Sequence, residues 1–140
     1  MSQSKVMGID HGKKRVGLAL SDPGCRHAFP LEAVGAKDRF KLLSRLQELV
    51  TEHGVGEVVV GLPLTMMGEV GPQAQKVQEF AERLRRKLGD AVSVELWDER
   101  LSSAQADRGR GGAADVKDGT RDMMAAVVIL QSFLDRKANR

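Results

Sequence analysis

This 140-residue chain holds one cysteine, no tyrosine, one tryptophan and four phenylalanines. A lone thiol, Cys25, excludes an intramolecular disulfide and any zinc cage built on cysteines. So few aromatic rings argue against a single-strand binder that stacks successive bases on an aromatic platform. A polynucleotide partner would instead be held by its phosphates and its shape. Long apolar runs are missing too. The longest, Met123 to Leu130, falls far short of the roughly 20 residues that cross a bilayer, so no membrane association is expected. The opening MSQSKVMGIDHG lacks the apolar segment of a signal peptide, and the expectation is a soluble, cytosolic protein.

What remains is ordinary globular composition, with 41% hydrophobic and 29% charged residues. The length suits one domain over residues 1–140 with a single core. A net charge of +3 and a pI near 9.2 mildly favour an anionic partner.

Along the chain, Lys5 to His11 alternates as a strand does, Gly12-Lys13-Lys14 makes a turn, and Arg15 to Ser21 returns. A third strand is expected through Phe29 to Val34, completing an antiparallel meander. Helical spacing follows between Lys37 and His53, on Leu42, Leu43, Leu46, Leu49 and Val50, with Gly54 as the stop. Glu57 to Leu62 is a nearly continuous apolar strand, as a buried central position requires. A second amphipathic helix starts near Pro72, and Ala91 to Trp97 is the fifth strand. A short helix is expected after Leu101. Arg108 to Gly119, rich in glycine and charge, reads as a mobile loop, and Thr120 as the cap of a last, largely apolar helix. Three strands followed by helix, strand, helix, strand give an α/β fold. Its five-stranded mixed sheet joins the meander to two parallel strands, flanked by helices.

Acidic residues fall where such sheets place chemistry. Asp10 closes the first strand, and Asp98-Glu99 ends the fifth, where ligand sites of parallel strands lie. Successive side chains point to opposite faces, so one member of the pair is expected to face the site. Asp122 sits in the first turn of the last helix, with Ala125 and Ala126 at helical spacing to let that helix approach closely. Each position has a plainer explanation: a turn residue for Asp10, a helix-dipole partner for Asp122. Together they supply the convergent carboxylates that hard divalent cations prefer, and two such ions can stabilise both oxygens of a phosphodiester displacement.

Four blocks carry a resemblance to a known family: GIDHGKKRVGLAL (Gly8 to Leu20), VVVGLPL (Val58 to Leu64), DERLSS (Asp98 to Ser103) and DMMAAVVILQSFL (Asp122 to Leu134). In this order and spacing the chain resembles, over nearly its whole length, the YqgF/RuvX family of RNase H-like proteins. Holliday-junction resolution and pre-16S ribosomal RNA cleavage are both ascribed to that family. The resemblance implies an RNase H-like fold and a metal-dependent endonuclease using Mg²⁺ or Mn²⁺. Its acidic positions fall on Asp10, on Asp98 and Glu99, and on Asp122, as catalytic and metal-holding residues. His11 stands where the family commonly has Phe or Leu, and is read as a surface hairpin residue. The implied substrate is precursor 16S rRNA, trimmed at its 5′ end, with a four-way DNA junction as the alternative. Junction cleavage needs two symmetric cuts and so a homodimer.

Basic residues beside these positions are candidates for contacting nucleic acid: Lys13, Lys14, Arg15 and Arg100, with Arg108, Arg110 and Lys117 in the loop. Ser102 and Ser103 are read as a helix cap, and His27 and His53 as structural. Two other classes compete. The GIDHG segment also resembles the first phosphate loop of actin and the ATP-driven heat-shock chaperones, but those close two lobes around ATP and this chain has length for one. A non-catalytic ribosome-assembly or nucleic-acid-binding factor would need the basic surface without the acids.

Overall fold

Local chemistry sets where each element begins and ends. In the computed structural model, which describes residues 4–101 and 119–138, the Asp38 carboxylate accepts a 3.1 Å hydrogen bond from the Lys41 main-chain N–H and starts α1 (Arg39–His53). Gly54, left-handed at φ 65°, ends it. Pro72 opens α2 (Pro72–Leu88), where a missing N–H is harmless. The last helix, α3 (Thr120–Ala138), begins at Thr120 itself, after Gly119 at φ 86°. The strands are β1 (Lys5–His11), β2 (Arg15–Ser21), β3 (Ala28–Gly35), β4 (Val55–Leu62) and β5 (Ser93–Asp98). A single 3₁₀ turn covers Glu99–Leu101, and the segment after Leu101, where a short helix was expected, begins beyond it. That segment lies outside the described residues. So do Ser102, Ser103, Arg108, Arg110, Lys117 and all but Gly119 of the expected loop. No described helix is long and apolar enough to cross a membrane.

The strands form one five-stranded sheet in the order β3-β2-β1-β4-β5. The pairs β1–β2 and β2–β3 are antiparallel, while β1–β4 and β4–β5 are parallel, which is the expected meander extended by two parallel strands. On one face, α1 and α2 bury Leu42, Leu46, Leu49, Val77, Phe80 and Leu84 against Met7, Ile9, Val58 and Val60. The other face belongs to α3, whose Ala126, Ile129, Leu130 and Phe133 pack on Val6, Ala19, Val59 and Trp97. Central strands buried on both sides explain the unbroken apolar runs of β1 and β4.

The α3 face is unusual in how close the helix lies. A Cβ on Gly8 would stand 2.6 Å from Leu130 Cβ, and one on Gly61 would stand 2.5 Å from Ile129 Cδ1. A Cβ on Gly17 would overlap the main-chain carbonyl of Asp122. Glycine on three adjacent strands therefore cuts the trough into which α3 sinks. Side chains then lock it there. Gln131 donates to the Arg26 carbonyl at 2.8 Å and accepts from the Ala28 N–H at 2.9 Å. Trp97 Nε1 donates to Ser132 Oγ at 3.2 Å, and that hydroxyl donates to the Leu101 carbonyl at 2.9 Å.

Overpacking a fitted core typically destabilises by about 1–3 kcal/mol, and main chain yields less readily than a side chain. Gly17→Ala should therefore lower stability by about 3 kcal/mol in urea unfolding. Gly35→Ala is the control. It meets nothing within 4 Å and should leave stability unchanged or slightly raised.

Candidate active site

Among the described residues only three polar or charged side chains are fully buried, Asp10, Ser21 and Glu99. Ser21 is accounted for by its hydroxyl, which accepts from the Val6 N–H at 2.8 Å and donates to the Asp22 carbonyl. The two carboxylates, at 3% and 1% exposure, need another explanation, because burying a carboxylate is costly unless it is paired or coordinates a metal. Each is engaged by further interactions and is not an isolated charge.

Strand register places them beside each other. Gly8 faces α3, so Asp10, two residues on, faces it as well. Directly across the antiparallel pair from Asp10 is Gly17, on which the Asp122 main chain rests. On the parallel side, the register Ile9↔Val60 carries Asp10 alongside Gly61. The position a Cβ would take on Gly61 is 3.0 Å from Glu99 Cγ. Asp10 is thus flanked by two glycines about 4.8 Å away on neighbouring strands, one covered by the first turn of α3 and the other by Glu99. The bond from Ser132 to Leu101 fixes the 3₁₀ turn that carries Glu99 onto the same helix.

Asp98 takes a different course. Trp97 packs on the α3 side, so alternation sends Asp98 to the other face, where Arg100 binds it through Nε and Nη2 at 3.1 and 2.8 Å and through its main-chain N–H at 2.9 Å. The Arg100 guanidinium holds the Asp98 carboxyl below its usual 3.8, against a smaller opposing effect of burial. The same guanidinium lies 3.1 Å from where a Cβ would sit on Gly68, in the loop between β4 and α2. Of the acidic pair that the sequence left open, Glu99 shares a face with Asp10.

Asp122 lies at the rim. Its Oδ2 accepts from Arg15 Nε at 3.1 Å, and its Oδ1 is 3.7 Å from where a Cβ would sit on Gly12 in the β1–β2 turn. Among the described residues no three His, Cys, Asp or Glu side chains stand together closely enough to hold a metal ion. The donor set nevertheless suits a hard divalent cation, because magnesium commonly takes one or two protein carboxylates and completes its shell with water and substrate phosphate.

The basic candidates divide. Lys13 and Lys14 are exposed on the β1–β2 turn, whereas Arg15 and Arg100 are committed to Asp122 and Asp98. His11 departs from expectation. It is not a surface hairpin residue, because its ring packs on Phe80 of α2 with centroids 4.6 Å apart. Burial lowers its pKa below 6.5, its own main chain opposes that in part, and the Lys76 charge adds a smaller lowering. The apolar character of Phe80, one core position of α2, was the available sign that a ring could pack there. The glycine trough was missed as well, although the sign for it was visible: glycines inside the apolar runs of β1, β2 and β4.

A mixed sheet of this order, with an acid on its central strand and helices on both faces, is an RNase H-like arrangement. A profile of the RuvX family, described as Holliday junction resolvase, matches residues 4–136. The chain belongs to the RuvX (YqgF) family. A relative from Chloroflexus aggregans, provisionally named a pre-16S rRNA nuclease, is 41% identical over 99% of this chain and 99% of its own. One of the same provisional name from Anaeromyxobacter sp. strain K is 43% identical over 96% of this chain and 98% of its own. In fold, the chain is similar to Thermus thermophilus RuvC solved with a Holliday junction substrate, with a TM-score of 0.59, 16% identity and coverage of 97% of this chain and 96% of that one.

The Asp98–Arg100 pair has a pH signature. Asp98 has a folded-state pKa below its unfolded value, so its contribution to stability is complete above about 3.8 and is lost as pH falls through the folded value. In urea unfolding, Asp98→Asn should be less stable than wild type at neutral pH, and the gap should close as pH drops below 3.8.

Proposed function

We propose that this chain is a divalent-metal-dependent endonuclease of the cytoplasm that trims the 5′ end of pre-16S rRNA. The observation that carries the reading is the pair of buried carboxylates, Asp10 and Glu99, set side by side on one sheet face in a chain of a nuclease family. The provisional name shared by its full-length relatives supports RNA as the substrate. The family description supports a second reading, cleavage of four-way DNA junctions by a homodimer.

Asp10 and Glu99 would hold Mg²⁺ or Mn²⁺, with Asp122 joining from the rim. A cation bound there supplies Lewis-acid polarisation of the phosphodiester and a readily deprotonated water. The protein's own part is placement and charge. Asp10 and Glu99 are fixed by the sheet and by the turn bonded to Ser132, so little reorganisation remains for the reaction. Arg15 is placed to exchange the Asp122 carboxylate for a substrate phosphate, which a guanidinium grips equally well. Lys13 and Lys14 extend the positive surface beside it, with Arg108, Arg110 and Lys117 as further contacts in the same reading. Asp98 has no part in the chemistry.

Wild type and variants would be compared on a labelled four-way DNA junction and a precursor 16S RNA end, each with Mg²⁺, with Mn²⁺ and with chelator. Asp10→Asn and Glu99→Gln should each reduce metal-dependent cleavage by about 10²–10³-fold, the scale of removing one electrostatic interaction with the transition state. Asp98→Asn should lose less than about tenfold. Faster cutting of RNA supports the first reading and faster cutting of the junction the second. Full activity in Asp10→Asn, or in chelator, would sink both.

A further inference from the structure

The strand that carries Asp10 presents His11 to the opposite side of the sheet, where none of the chemistry above takes place. Beside the His11–Phe80 ring contact is a cavity of about 330 Å³, near the lower bound of ordinary ligand pockets. Arg39 from the start of α1 lines it, together with Lys76, Glu79 and Arg83 from one face of α2. Three cations thus surround one carboxylate. Among the described residues, Arg39, Lys76 and Arg83 make no ion pair, unlike Arg15, Arg45, Arg85 and Arg100. His11 lines the same cavity, its ring lying against Phe80.

We infer that this cavity is a second phosphate subsite, across the sheet from the carboxylates. In it Arg39, Lys76 and Arg83 neutralise a backbone phosphate of the polynucleotide. The identity of the polymer rests on the nuclease reading; the affinity for phosphate does not. Guanidiniums favour phosphate because two parallel N–H groups match two of its oxygens. Consecutive Cα atoms are about 3.8 Å apart, so Asp10 and His11 let one chain position reach both faces of the sheet end. A strand held beside His11 would have its position relative to Asp10 fixed by β1 itself.

The test compares the full chain with its double variant Lys76→Gln/Arg83→Gln. Binding to the four-way junction and to the precursor RNA end is measured in chelator across a salt series, alongside melting temperature with inorganic phosphate against chloride at matched ionic strength. The double variant should bind more weakly, with the slope of log affinity on log salt reduced by about one for each phosphate that is no longer neutralised. Phosphate should raise the wild-type melting temperature and leave that of the double variant unmoved. Where cleavage is measurable, the defect in the double variant should fall on KM and not on kcat. An unaltered salt slope together with no phosphate response would overturn the subsite. Phosphate stabilisation through these residues with unaltered polynucleotide binding would overturn the backbone assignment in favour of a small phosphorylated ligand. A chain that cuts neither substrate but shows the reduced slope in the double variant keeps the subsite, and only the nuclease reading falls.

Discussion

The structure depends on how closely α3 lies on the sheet. Side chains at Gly8, Gly17 and Gly61 would each hold the helix off, and the carbonyl of Asp122 occupies the space that a Cβ on Gly17 would fill. With the helix seated, Trp97 and Leu101 are bonded through Ser132, the turn that carries Glu99 is fixed, and Asp10 is roofed. Burial of charge, usually a liability, is here a result of helix packing that the fold imposes on both acids at once.

Electrostatics at the rim follow a second rule. Arg15 and Arg100 both looked like substrate contacts, and both are bound to carboxylates of the chain itself. The two pairs differ in kind. Arg100 grips Asp98 with two side-chain nitrogens and its main chain. Arg15 touches Asp122 through a single nitrogen, with both side chains partly open to water. Partly exposed ion pairs of that sort are worth little and exchange readily. The protein therefore holds one arginine firmly and one loosely, on opposite sides of the sheet.

Much of this could be read in the sequence, because the signals involved are local. The apolar segments on either side of the Gly12-Lys13-Lys14 turn marked β1 and β2, Gly54 and Pro72 punctuated the helices, and the acids stood at strand ends in plain view. Parity showed that Asp98 and Glu99 must point apart. Choosing between them required knowing which sheet face α3 covers, and that is a property of the whole fold. The partners of Arg15 lay equally out of reach, since Asp122 is 107 positions away. His11 was misjudged for a related reason: its position next to a turn suggested water, whereas α2 crosses above it and supplies Phe80.

That separation in sequence has a meaning for synthesis. Asp10 emerges from the ribosome on the first strand of the sheet, yet its roof is laid by a helix that follows every other strand. At about 5–20 residues per second, the partly made chain spends several seconds with its first acid uncovered and Glu99 unanchored. Such a nascent chain has strand β1 but not the pocket. If the reaction is the one proposed, a growing chain is harmless to the RNA around it, and competence arrives in a single step as α3 docks.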